Sequence, residues 1–173
     1  PKLQRTDGGQ LSLSADSMAF DLRAKTLSGS EHFLLQSDHI KANARTGLYS
    51  AEREQIAFVG SVELEQGGGA GDYRSRITSD SLIVLLEEGA AREVLVSGVL
   101  EGKVEMGEDR ICWIEGRGGR MWLAGDTLER IELDAQADAT YRHVQNDEIS
   151  RFRGQRMFLY FKDRELYQVR VEG

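Results

Sequence analysis

Three histidines and one cysteine are the residues of this chain whose types and spacing could do chemistry. His32, His39 and His143 share no spacing typical of a metal site, such as two histidines four residues apart. No serine stands in a Gly-x-Ser-x-Gly elbow, the turn that exposes a hydrolase nucleophile. Cys112 lies in an apolar run and is expected to be a small buried hydrophobe. We therefore expect no enzyme, no cofactor and no metal site.

A recurrent aspartate resembles at first a series of acid catalysts. Asp16, Asp38 and Asp80 each stand at the opening of a similar stretch of alternating residues. An aspartate in such a place accepts hydrogen bonds from nearby backbone N–H groups. We predict this structural role for all three.

The elements that must position any site are strands. Two arms, 56–65 and 94–106, put apolar residues or glycine on even positions, with Gly60 and Gly98 at matching places. A period of two residues is that of a strand with one buried face. Similar arms recur along the chain and glycines punctuate it, which predicts a continuous antiparallel meander of hairpins.

Residues 1–10 lack this alternation and are predicted to be a flexible lead-in. The rest of the chain, residues 11–173, is predicted to form a single domain. The glycine-rich stretches 66–72 and 115–120 predict turns between strands.

Composition excludes some partners. The net charge of −7 argues against a broad basic surface for nucleic acid. No apolar run reaches the roughly 18 residues that a membrane-spanning helix needs. The acidic net charge is compatible with a lipid partner that is bound by its acyl chains.

The repeat pattern resembles a known family. An Ala-Asp-Ser opening at residues 15–17, together with the Phe-x-Gly-x-Val-x-Leu strand at residues 58–64, resembles the OstA-like domains of lipopolysaccharide transport. This family includes LptA, LptC and the amino-terminal domain of LptD, and the resemblance covers residues 11–173. It implies an all-β OstA-like jellyroll of stacked antiparallel strands, folded like a taco or solenoid, with an open hydrophobic groove.

The resemblance also implies a function. We expect a periplasmic bridge protein that moves lipopolysaccharide or a related glycolipid between the inner and outer membranes. A segment outside this chain would tether it to either membrane.

Stacked hairpins would turn alternate side chains inward between two layers. The residues alone favour a closed core over a groove, whereas the resemblance implies a groove that holds acyl chains. The predicted lining is Phe20, Ile40, Phe58, Val62, Leu64, Val84, Val96, Leu100, Val104, Ile131 and Leu133.

Two further surfaces are predicted. Arg151, Arg153 and Arg156 form a basic cluster suited to phosphate or sugar groups of the glycolipid, with a solvated face as the alternative. The first and last strands, within Leu11–Leu22 and Met157–Val171, would pair with other OstA-like transport proteins or with a second copy.

Two other functions stay open. A structural β-solenoid that assembles without lipid would use the same repeats with a filled interior. A carbohydrate-binding β-domain would need exposed aromatic residues on one face, and the candidates are Trp113, Trp122, Tyr141 and Tyr160.

Overall fold

A computed structural model of the chain describes residues 2–4, 10–67, 73–124 and 127–173. Fourteen β-strands occur in these ranges, and none of the described residues form a helix long and apolar enough to cross a membrane. The strands are β1 (Lys2–Gln4), β2 (Gln10–Ser14), β3 (Ser17–Asp21), β4 (Thr26–Gln36), β5 (Ile40–Ser50), β6 (Gln55–Gln66), β7 (Tyr73–Glu87), β8 (Ala90–Met106), β9 (Arg110–Ala124), β10 (Thr127–Leu133), β11 (Ala137–His143), β12 (Glu148–Gly154), β13 (Arg156–Lys162) and β14 (Glu165–Glu172).

The strands form one branched antiparallel sheet. Its main path runs β1-β2-β4-β5-β6-β7-β8-β9-β10-β13-β14. Outside this path β3 pairs with β4, β11 pairs with β9, and β12 pairs with β11. The sheet is not closed. Because all the described strands pair antiparallel, the predicted all-β class with stacked antiparallel strands is confirmed.

The long strands bend, and the bends line up from strand to strand. The pairing register shifts beside Gly60 in β6 and beside Gly98 in β8, and both glycines have a positive φ, 88° and 85°. Glu31, His32 and Gly118 also have positive φ, in β4 and β9. Bulges of this kind increase the local bend of a strand. Together the aligned bends form a crease across the sheet.

The crease divides the sheet into two layers. Layer A contains β3, β10, β13 and β14, and layer B contains β1, β2, β11 and β12. Each long strand contributes one half to each layer. In β9, residues 119–124 pair with β10 in layer A, and residues 110–115 pair with β11 in layer B.

The two layers pack face to face around one core. Phe33 of layer B lies over Gly29 and Gly47, a cross-strand pair of layer A. Its ring also meets Phe58 of layer A edge to face, with 5.4 Å between centroids. Apolar side chains of both layers belong to a single buried cluster.

The side opposite the crease is called the mouth. Turns 51–54 and 163–164 of layer A, and turns 37–39 and 107–109 of layer B, lie along it. In the described part of the chain the outer edges are β3 and β14 in layer A and β1 and β12 in layer B. Thus β3 lies within the first predicted edge segment and β14 lies within the second except for Glu172, while β1 and β12 are edges outside both predicted segments.

Three segments are predicted to be irregular: the lead-in 1–10 and the glycine-rich stretches 66–72 and 115–120. Within the lead-in, Lys2–Gln4 pair with β2, and the other residues before Gln10 lie outside the described ranges. The domain boundary at residue 11 stays a prediction. The predicted turn at 115–120 is wrong, because β9 runs through it and only bends at the crease. Most of the glycine-rich stretch 66–72 lies outside the described residues.

Candidate functional site

Ten of the eleven residues predicted to line the interior are buried between the layers. They are Ile40, Phe58, Val62, Leu64, Val84, Val96, Leu100, Val104, Ile131 and Leu133. Whether they hold a lipid stays a prediction. The exception is Phe20, which is 59% exposed.

Phe20 is exposed because of its position in the stack. It pairs with Leu27 across β3 and β4, so it shares the face of a buried residue. However, β3 is an edge strand, and among the described strands only β4 pairs with it. The expectation that Phe20 belongs to the buried lining is therefore wrong.

A narrow apolar seam separates the layers near the mouth. Its space between atoms, part of it open to solvent, amounts to about 240 Å³, and none of it admits a water-sized sphere. Layer B contributes Ile40, Leu64 and Gln66, and layer A contributes Val84, Ala91, Val94, Met121 and Leu123. The interior is closed in this conformation, so an acyl chain requires the layers to separate along the seam.

The predicted arginine cluster is split between the two layers. Phe152 pairs with buried Ala139, so its neighbours Arg151 and Arg153 point to the outer face of layer B. Arg153 there bonds Asp138 through Nε at 2.5 Å. The three arginines therefore do not form one headgroup site.

Arg156 instead lies on the outer face of layer A. It precedes buried Met157, bonds Glu132, and stacks 5.0 Å from the centre of the Phe158 ring. Glu132 is itself buried, so the guanidinium compensates a desolvated carboxylate. This contact accounts for Arg156 without a ligand.

The aromatic residues suggested for sugar binding also lie on different surfaces. Trp122 and Tyr160 face outward from layer A, with Arg130 3.5 Å above the Trp122 ring. Trp113 faces outward from layer B, next to buried Cys112 and Ile114, while Tyr141 pairs with Cys112 and faces inward. A single sugar-binding face is therefore absent from these four positions.

Several titratable side chains contribute to the packing and hydrogen bonding of the fold. Cys112 is fully buried, and burial raises the pKa of its thiol to about 12, as expected for a small core residue. Asp80 accepts the Val99 backbone N–H at 3.1 Å beside the crease, which confirms the predicted role for this aspartate. Asp16 binds His32 at 2.8 Å, and this hydrogen bond raises the pKa of the imidazole. Among the described residues no group of three His, Cys, Asp or Glu is placed to hold a metal.

Sequence reasoning missed an inward-facing charge at the mouth. Arg110 occupies the same register as buried Cys112 and Ile114, and it forms an ion pair with Glu165 of layer A. The available signal was a charged residue that continues an apolar alternation. Its partner could not be found from sequence alone.

The fold and interior define a class of protein: an open, all-β jellyroll-like stack with two layers and an apolar interior. No family model matches the chain, and no curated protein matches it in sequence. A solved structure is similar: LptH, described as the LptA homologous periplasmic component of the conserved lipopolysaccharide transport device from Pseudomonas aeruginosa. The TM-score is 0.53 at 11% identity, over 81% of this chain and 80% of that one. The similarity shows an LptA-like fold.

Proposed function

We propose that this chain is a periplasmic carrier that holds the acyl chains of lipopolysaccharide or a related glycolipid between its two layers. The observation that carries the proposal is the seam between the layers, whose lining is apolar except for Gln66. The LptA-like fold supports the choice of cargo and of compartment. The proposal assigns binding and transfer to the chain and no catalytic step.

Binding requires the layers to part at the mouth. Each methylene removed from water contributes roughly 0.8 kcal/mol, and the interlayer contacts that it replaces are also apolar. An acyl chain can therefore substitute for contacts that the layers make with each other. The crease, where Gly60 and Gly98 already provide bends, is the natural hinge for this motion.

We propose end-to-end strand pairing as the route of transfer between proteins. Unpaired strand edges offer backbone N–H and C=O groups to another strand. Phe20, next to one end, is 59% exposed and shares its face with buried Leu27. A second copy, or another jellyroll transport protein, would cover Phe20 and continue the interior.

Photocrosslinking in cells tests the cargo. A p-benzoyl-phenylalanine at Phe58 or Val94 reports on the interior, since both side chains are buried between the layers. The same group at Val59 is the control, because Val59 follows Phe58 directly and is 55% exposed. We expect lipopolysaccharide adducts at Phe58 and Val94 and none at Val59. A folded protein without adducts at either interior position would refute the proposal.

The closed seam favours one alternative, a structural β-solenoid that self-assembles with a filled interior. This function predicts polymers of purified, lipid-free protein and no adduct at Phe58. Carbohydrate binding has no comparable support, because its candidate aromatic residues face different surfaces.

A further inference from the structure

Four residues form a row along the rim of layer B at the mouth. Tyr73, Met106, Arg110 and His143 are successive cross-strand partners on β7, β8, β9 and β11. Cross-strand partners share a face of the sheet. Met106 is buried in the core, so the whole set, which we call the rim row, points toward the inner side.

Three members of the rim row, Tyr73, Arg110 and His143, carry a buried polar atom without a well-formed hydrogen bond. Arg110 Nε has only the ion-pair contact with Asp109 at 3.4 Å, Tyr73 has the Ser75 hydroxyl nearby, and His143 Nδ1 has no partner among the described residues. The other two side-chain atoms of this kind belong to Arg130 and Arg142, which lie outside the row. Buried polar atoms are normally satisfied, so a cluster of exceptions calls for a missing partner. Tyr73 is itself only 7% exposed.

The rim row borders the apolar seam. Gln66, which lines the seam, pairs with Ser75, two residues along β7 from Tyr73. Ser75 also donates a hydrogen bond to Gln66 at 3.4 Å. A ligand with its chain in the seam would therefore bring its polar end to the rim row.

A carboxylate from the opposite layer already meets this row. Glu165 Oε1 lies 2.7 Å from Arg110 Nη2. The adjacent Leu166 N–H points to Met106 Sδ at 3.3 Å. These two contacts, which we call the clasp, join layer A to layer B across the mouth. Because the Glu165 side chain is 53% exposed, water competes for this ion pair and it can open without unfolding the protein.

The other charges at the rim are mixed. Asp109 lies 3.4 Å from Arg110 Nε and 3.3 Å from His143 Nε2. Arg164, in the turn before Glu165, is close enough for its charge to act on Tyr73. Asp109 thus holds Arg110 and His143 in place, and Glu165 is the acidic group that can leave with layer A.

We propose that the rim row is the subsite for the anionic head of the lipid, a phosphate monoester, and that this phosphate displaces Glu165 from Arg110. The inference rests on the proposed function. Tyr73 and Arg110 stand two strands apart, roughly 10 Å at the backbone, which their long side chains can span around one phosphate. Displacement of Glu165 opens the clasp, so headgroup binding and opening of the seam are the same event.

The test uses dodecyl phosphate, the uncharged dodecyl maltoside and inorganic phosphate, each with the whole chain. Calorimetry gives the affinities, and the NMR signal of the Arg110 Nε–H reports contact with phosphate. We expect dodecyl phosphate to bind more tightly than either other ligand. Arg110→Gln should lower the affinity for dodecyl phosphate by about ten- to a hundredfold, the loss expected when a charge-assisted hydrogen bond is removed.

Glu165→Gln gives the discriminating result. Removing the competing carboxylate should raise the affinity for dodecyl phosphate several-fold, whereas Arg110→Gln should lower it. If the clasp were purely structural, the two substitutions would change this affinity in the same direction. Glu172→Gln is the matched control, because Glu172 pairs with Arg170 on the same strand at 2.6 Å without crossing the layers, and it should change nothing.

The outcomes separate the two proposals. If dodecyl maltoside binds but dodecyl phosphate gains nothing and Arg110→Gln has no effect, the subsite is wrong and the carrier function stands. If inorganic phosphate alone binds as tightly as dodecyl phosphate, the site is a free-anion site and the lipid-headgroup assignment fails. If no amphiphile binds at all, the carrier function fails and the subsite falls with it.

Discussion

Gly47→Ala is the substitution whose cost the structure defines most sharply. A Cβ at Gly47 would lie 1.9 Å from Cδ1 and 2.0 Å from Cε1 of Phe33. The backbone at Gly47 accepts alanine, because its φ is not positive. In a strand interior glycine is otherwise less stable than alanine by roughly 0.5–1 kcal/mol. A loss of stability therefore measures the collision with the ring.

The Phe33 ring has little room to retreat. On its other side a Cβ at Gly29 would come within 2.3 Å of Cδ2, and the Phe58 ring packs against it at 5.4 Å. Overpacking of a core costs ~1–3 kcal/mol, and here we expect the upper end because the ring is held on both sides. For a domain of this size about 3 kcal/mol lowers Tm by roughly 6–12 °C.

Thermal and urea unfolding followed by far-UV circular dichroism measures the loss. Gly116→Ala is the control, since its new Cβ would meet its nearest atom at 3.4 Å, an ordinary contact. That variant should keep or slightly raise Tm. Adding Phe33→Leu to Gly47→Ala should recover part of the loss in a double-mutant cycle. Equal Tm values for Gly47→Ala and Gly116→Ala would refute the packing of Phe33 between the layers.

Three shorter predictions follow from other contacts. Phe58→Ala should cost about 3–5 kcal/mol in chemical unfolding because its ring is fully buried, whereas Phe20→Ala should stay within roughly 0.5 kcal/mol; equal losses would contradict the exposure of Phe20. Asp80→Ala should cost about 0.5–1.5 kcal/mol in the same assay, since its carboxylate accepts a backbone N–H at the crease, and no loss would argue against that bond. The hydrogen bond and then the charge of Arg110 lower the pKa of Glu165 below its ordinary 4.5, so the clasp should be intact above that pH and be lost as pH falls through the lowered pKa. In Arg110→Gln the pKa of Glu165 should rise to about its ordinary value, which a carbon-13 NMR titration measures. An unchanged pKa would exclude the Arg110–Glu165 ion pair in solution.

Local alternation was enough to predict which side chains face inward. Side chains in a strand alternate strictly, so positions such as Val84 and Leu100 follow from the sequence pattern once strands are recognised. Burial also needs a second layer above the side chain. Phe20 has the right register, but its strand lies at the end of the stack, and the position of that end is set by the whole topology.

The crease could not be predicted, although its marks are visible in the sequence. Gly60 and Gly98 stand at matching places in two arms, yet glycine within a strand is equally compatible with a straight strand, a bulge or a turn. The stretch 115–120 shows the ambiguity, since its glycines predict a turn and instead allow one strand to bend. Only the alignment of bends across neighbouring strands distinguishes these possibilities.

The same crease explains why the three arginines predicted to contact the headgroup do not lie together and where a better candidate lies. Between Arg153 and Arg156 the chain passes from β12 in layer B to β13 in layer A, so neighbours in sequence face opposite sides of the molecule. Arg110 and Glu165 are distant in sequence, yet the fold brings them to 2.7 Å across the mouth. In a folded sheet, groups that cooperate at the opening must come from different layers and hence from distant strands. A charged residue that continues an apolar register, as Arg110 does, is therefore a better indication of such a site than a cluster of charges along one segment.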